Sequence, residues 1–184
     1  MMTKEVLTAK YNQEIKMYER FIEAMSSVIL ALRDKNCDGK VVNARISNTV
    51  QKTLKEQGMT DVYVSIKPQY KSRYMKIVLP NDIRWFKTEN GKSGYVDHDS
   101  YIEVNLEYKV DASYNERLVL NDTQEIFKTE ILRYVDKIKE LQDYIAKYDE
   151  YQKANENFKR LVKEYEDKIP YRMRYSVQLN DNTY

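Results

Sequence analysis

The sequence predicts an α+β fold. The expected architecture is a long antiparallel, coiled-coil-like hairpin of N- and C-terminal helices. A short extra helix and an antiparallel β-sheet that includes the C-terminal strand complete it. Three observations predict this. Apolar residues recur at helical spacing over 3–34 and 122–168. They recur at a spacing of two over 61–120. The 184 residues include only 4 glycines and 3 prolines, and scarce breakers favour long uninterrupted elements. That length suits one domain, so 1–184 reads as a single unit with a helical arm.

Residues 3–34 read as one helix. Tyr11, Tyr18, Met25 and Leu32 recur every seven residues. Leu7, Phe21 and Val28 form a second row, and Ile15, Ile22 and Ile29 a third. A stripe this wide packs against more than one neighbour. The helix should stop near NCDGK, where Gly39 can take a left-handed turn. Asn43 can then cap a short helix over 43–57, with Ile46, Val50 and Leu54 inward and Gly58 at its end.

From 61 to about 120 the period is two. Val62, Val64 and Ile66 share one face of a strand, as do Met75, Ile77 and Leu79 in SRYMKIVL. IRWFK follows, then ENGKSG as a turn. In YIEVNLEYK, Ile102, Val104, Leu106 and Tyr108 point one way, and Glu103, Asn105 and Glu107 the other. Such alternation means an antiparallel sheet with one wet face.

The helical period returns over 122–168. Ile131, Tyr134, Ile138, Leu141, Ile145 and Tyr148 follow the 3-4 spacing of a coiled-coil seam. The same frame then lands on Gln152, Asn155 and Lys159. A shifted frame recovers Tyr151, Ala154, Phe158, Leu161 and Tyr165. That shift predicts a stammer or kink near 151–157. At 1.5 Å per residue this helix spans roughly 70 Å and the first roughly 48 Å. The surplus seam must fold back or meet a second subunit, so a homodimer is expected. Pro170 stops the helix, and strand 171–179 returns to the sheet. Its Met173, Tyr175, Val177 and Leu179 face the core, and Arg172 and Arg174 the open side.

Net charge is +2, from 31 basic and 29 acidic residues, so overall charge calls for neither nucleic acid nor an anionic membrane. The lone Cys37 fits a reducing compartment. The N-terminus shows no apolar signal segment, and the longest apolar run, Val28 to Leu32, is too short to span a bilayer. A cytoplasmic protein without membrane contact is the expectation. The 17 tyrosines suit core edges, with ring buried and hydroxyl wet, or an interface.

No phosphate-cradling loop or nucleophile elbow appears. His98 stands between Asp97 and Asp99. Neighbours on a strand point to opposite faces, so these three do not converge on a metal, and they read as a polar turn. The expectation is a protein with no catalytic residues, metal or cofactor. The segment from Lys67 to Lys92 carries more weight. Lys71, Arg73, Lys76 and Arg84 interleave there with Tyr74 and Trp85, and Arg172 and Arg174 would join them. This mixture suits phosphate contact with base stacking, if the acidic 95–107 stretch does not neutralise it across the sheet.

The stretches NCDGKVVNARI and VYVSIKPQYKSRYMKIVL, set between Tyr/Lys/Glu-rich helices, resemble uncharacterised small accessory proteins of bacterial phages and mobile genetic elements. The resemblance includes no catalytic motif and carries over no functional residue. It implies a protein that binds and blocks a host protein or nucleoprotein. The leading expectation is therefore a non-catalytic interaction protein. The alternative is RNA or single-stranded DNA binding through a basic, tyrosine-rich sheet face.

Overall fold

The computed structural model describes residues 3–69, 72–79, 84–87, 93–96 and 100–168. The elements run α1 (Lys4–Asp34), α2 (Ala44–Glu56), β1 (Tyr63–Gln69), β2 (Ser72–Leu79), β3 (Arg84–Lys87) and β4 (Ser93–Val96). Then come β5 (Ser100–Leu106), β6 (Tyr108–Val110), β7 (Glu116–Leu118), α3 (Leu120–Ala146) and α4 (Tyr148–Lys168). The fold is α+β, as the change of period predicts. Strand 171–179 lies outside the described residues. Packing divides the chain into two compact units, Asn12–Lys139 and Met1–Tyr11 with Glu140–Tyr184.

The 12–139 unit holds a three-stranded antiparallel sheet in the order β1-β2-β5. Its register faces Val64 with Ile77 and Ile66 with Met75, then Met75 with Val104 and Ile77 with Ile102. Side chains alternate across a strand, so this register gathers the apolar set on one face. That face joins Phe21, Met25, Val28 and Leu32 of α1, Ile46, Val50 and Leu54 of α2, and Phe127 of α3 in one core.

Local signals place the helices. The Asn43 side chain accepts from the Arg45 N–H and caps α2. Gly39 and Gly58 both have positive φ, at 68° and 85°, and close the turns after α1 and α2. The Asp38 carboxylate accepts from Leu120 N–H at 2.8 Å and caps α3. Gln51 of α2 acts as a one-residue strand at the start of β1. Its amide nitrogen donates to Val62 C=O and its oxygen accepts from Val64 N–H, both at 2.7 Å.

Within 61–122, three features differ from the sequence reading. Among its described residues the 61–120 region forms the three-stranded sheet plus two two-stranded antiparallel pairs, β3-β4 and β6-β7, rather than one sheet. YIEVNLEYK breaks at Glu107, because buried Thr123 captures that residue's backbone. The Thr123 hydroxyl accepts from Glu107 N–H at 2.9 Å. The third helix starts at Leu120, two residues early, under the Asp38 cap.

The turn of the β6-β7 hairpin is organised by Asp111. Its carboxylate accepts from the backbone N–H groups of Asn115 and Ser113 and from Arg117 Nε at 2.6 Å. These bonds, that from Asn115 N–H first, hold the carboxyl down at about 2. An ordinary aspartate titrates at about 3.9. A depressed folded value stabilises above the unfolded pKa and loses that contribution as pH falls through the folded one. The hairpin's amide protection is therefore expected to weaken between about pH 4 and pH 2. Asp111→Asn should lower protection at neutral pH and remove this acid limb, as read by hydrogen exchange.

In the other unit, the first turns of α1 run antiparallel to the end of α3 and the start of α4. Lys4 Nζ meets Asp149 at 2.6 Å, and the Tyr11 and Tyr144 rings lie 6.3 Å apart. The third and fourth helices are separated at Lys147, not within 151–157. Lys147 N–H still bonds Asp143 C=O, and Tyr151 N–H bonds Lys147 C=O. The apolar row changes its exposure across the interruption. Leu141, Ile145 and Tyr148 are half-buried, whereas Tyr151, Ala154, Phe158, Leu161 and Tyr165 are exposed.

Candidate interaction surfaces

Two surfaces merit a functional reading, the outer face of the β1-β2-β5 sheet and the apolar row of α4. The sheet's outer rows follow from its register. Tyr63, Val78 and Tyr101 form one; Ser65, Lys76 and Glu103 the next; Lys67, Tyr74 and Asn105 the third. Tyr63 and Tyr101 are more than half exposed. Lys76 Nζ sits 4.0 Å from the centroid of the Tyr101 ring, its diagonal neighbour across the strands.

Of the site residues named from sequence, two of the described ones share this face. Tyr74 and Lys76 are there. Arg73 lies on the opposite parity, with Met75 and Ile77, and its Nε meets Glu116 at 2.7 Å. Arg84 and Trp85 lie in β3, where they face Val96 and Tyr95 in the β3-β4 ladder, outside the three-stranded sheet. Lys71, Arg172, Arg174 and the Asp97-His98-Asp99 turn lie outside the described residues. Pairing of β2 with β5 sets Glu103 directly opposite Lys76. Among its described residues the outer face therefore carries Lys67 and Lys76 against Glu103, two positive charges to one negative.

A cleft of about 390 Å³ opens beside the start of α2, lined by Cys37, Lys40, Asn43, Arg45, Thr49 and Arg117 among others. Two of its cations, Lys40 and Arg117, serve the fold. Lys40 Nζ donates to Lys35 C=O at 3.0 Å, and Arg117 Nη1 to Gly39 C=O at 3.0 Å. Arg117 also pairs with Asp111. Burial pushes the Cys37 thiol up, away from the reactive thiolate form. Among the described residues no three His, Cys, Asp or Glu side chains are grouped to hold a metal. No helix among them is long and apolar enough to cross a membrane.

Tyrosines stand both at the core and in solvent. Tyr134 is buried with its ring 5.2 Å from that of Tyr18. Burial, with a hydrogen bond to Glu14 at 2.6 Å, pushes the Tyr18 hydroxyl up to about 12. Tyr151 and Tyr165, by contrast, stand in water on α4.

The fourth helix is the more unusual surface. It has 21 residues and none is buried. Its apolar side chains nevertheless line up: Tyr151, Phe158, Leu161 and Tyr165 are each between 45% and 66% exposed. The row lies one position off the α3 seam, about 100° round a helix. The frame shift in the sequence marks this row, and the fold leaves it exposed. Compared with protein-family models, curated proteins and solved structures, the chain matches none.

Proposed function

We propose that the chain is a non-catalytic interaction protein that docks on a protein chain through the apolar row of α4. The observation that carries this reading is a 21-residue helix with no buried residue and a continuous line of exposed aromatic and aliphatic side chains. Isolated exposed apolar residues are ordinary, but a contiguous rimmed row marks an interaction surface. Aromatic anchors, charged flanks and helical spacing suit a helix-mediated contact. The resemblance of NCDGKVVNARI and VYVSIKPQYKSRYMKIVL to phage and mobile-element accessory proteins supports a host protein or nucleoprotein as the target that is bound and blocked, and the lone Cys37 supports a cytoplasmic setting. RNA or single-stranded DNA is the less favoured ligand, because Glu103 opposes Lys76 and Arg73 is paired on the other face.

The test is affinity capture with the full chain, wild type beside Phe158→Glu. A stoichiometric protein partner, an untagged copy of the chain included, is expected with wild type and lost with the variant. Circular dichroism should not change, since Phe158 supports no core. Equal capture by both would overturn the reading. So would salt-steep recovery of nucleic acid that Lys76→Glu abolishes.

A further inference from the structure

We infer that α4 pairs with α4 of a second copy of this chain, antiparallel, with Phe158 facing Leu161 of the second copy. This rests on the reading of α4 as a protein-docking surface and names its occupant.

The row Tyr151, Ala154, Phe158, Leu161, Tyr165 recurs at alternate spacings of three and four, the pattern of a two-stranded coil. Two orientations can be compared by what faces what. A parallel pair sets each residue against itself. Ala154 then meets Ala154 across a gap, while Tyr165 crowds Tyr165. Tight apolar interfaces tolerate neither voids nor overpacking. An antiparallel pair that faces Phe158 with Leu161 also faces Ala154 with Tyr165, twice over by symmetry. Each layer then places a larger side chain against a smaller one.

Charge supports the same arrangement. The first turn of α4 carries Asp149 and Glu150, and the last turn carries Lys168. In the antiparallel register Lys168 lies in the layer of Tyr151 of the second copy, beside its Glu150. The opposed helix dipoles add to this attraction. The flanking positions hold Asn155, Asn157, Val162 and Glu164, so no like charges face each other across the seam. Glu166 and Asp167 fall on the outer side. The contact is isologous and closes at two copies.

The experiment uses the full chain. Sedimentation equilibrium is expected to show a dimer at micromolar concentration. Phe158→Glu should weaken it by about a hundredfold or more, as loss of a central anchor does. Orientation is read by disulfide trapping with separately tagged Ala154→Cys and Tyr165→Cys chains. The mixture should cross-link and each chain alone should not. Cys37, 1% exposed, stays as a background that wild type controls. A monomeric wild type, or a Phe158→Glu dimer of equal strength, would overturn the inference. Cross-linking of Ala154→Cys with itself would overturn the register. A monomeric wild type whose protein capture still depends on Phe158 refutes the second copy alone. Capture indifferent to Phe158 refutes the docking reading as well.

Discussion

Phe127→Ala is expected to lower the unfolding free energy by about 3–5 kcal/mol, the usual cost of emptying a fully buried phenylalanine site. Phe127 has no exposed surface and joins the core that α1, α2 and the inner sheet face build. Its neighbours there are set in two helices and three hydrogen-bonded strands, which limits how far the site can collapse. Denaturant unfolding would show the loss as a lower midpoint with the same slope. A change below about 1 kcal/mol would mean that the sheet and helices do not share one core.

Thr123→Val should cost about 1–3 kcal/mol although it keeps the side chain's shape. Thr123 is fully buried, and its hydroxyl takes the N–H of Glu107 at 2.9 Å. Valine leaves that backbone donor without its partner. The Glu107 carbonyl loses the longer bond from the Thr123 hydroxyl, at 3.3 Å, but keeps its bond from Val119 N–H at 2.9 Å, so only the N–H is left without a partner. Hydrogen exchange at Glu107 should quicken, and the junction of β5 with β6 should loosen before the three-stranded sheet does. If stability is unchanged, the break at Glu107 does not depend on this capture.

Much of the fold was legible because one face of each element is buried in a single core. Met75, Ile77 and Leu79 could be assigned inward from alternation alone, and the structure buries all three. Ile46, Val50 and Leu54 were assigned from helical spacing, with Asn43 as the cap, and both hold. The break at Glu107 was hidden because its cause, Thr123, lies sixteen residues on and acts through the backbone. The separation at Lys147 was hidden for another reason. Ala146 and Lys147 are both good helix formers, so nothing local announces it.

The candidate surface was less legible. Alternation within SRYMKIVL separates Arg73 from Lys76, yet composition groups them as one basic patch. Only the pairing of β2 with β5 shows that Glu103 stands opposite Lys76. On α4 the apolar row was readable from spacing. Whether a mate within the chain covered it was not, because spacing records which residues share a face and not what lies against that face.

The most direct test of the central claim, that the α4 row is a protein-binding surface, is hydroxyl-radical footprinting of the whole chain. It would be read residue by residue at rising protein concentration and in cell extract. Protection is expected at Tyr151, Phe158, Leu161 and Tyr165, with Tyr63 and Tyr101 still labelled. Unchanged labelling of the α4 residues under every condition, or protection of Tyr63 and Tyr101 in their place, would contradict it.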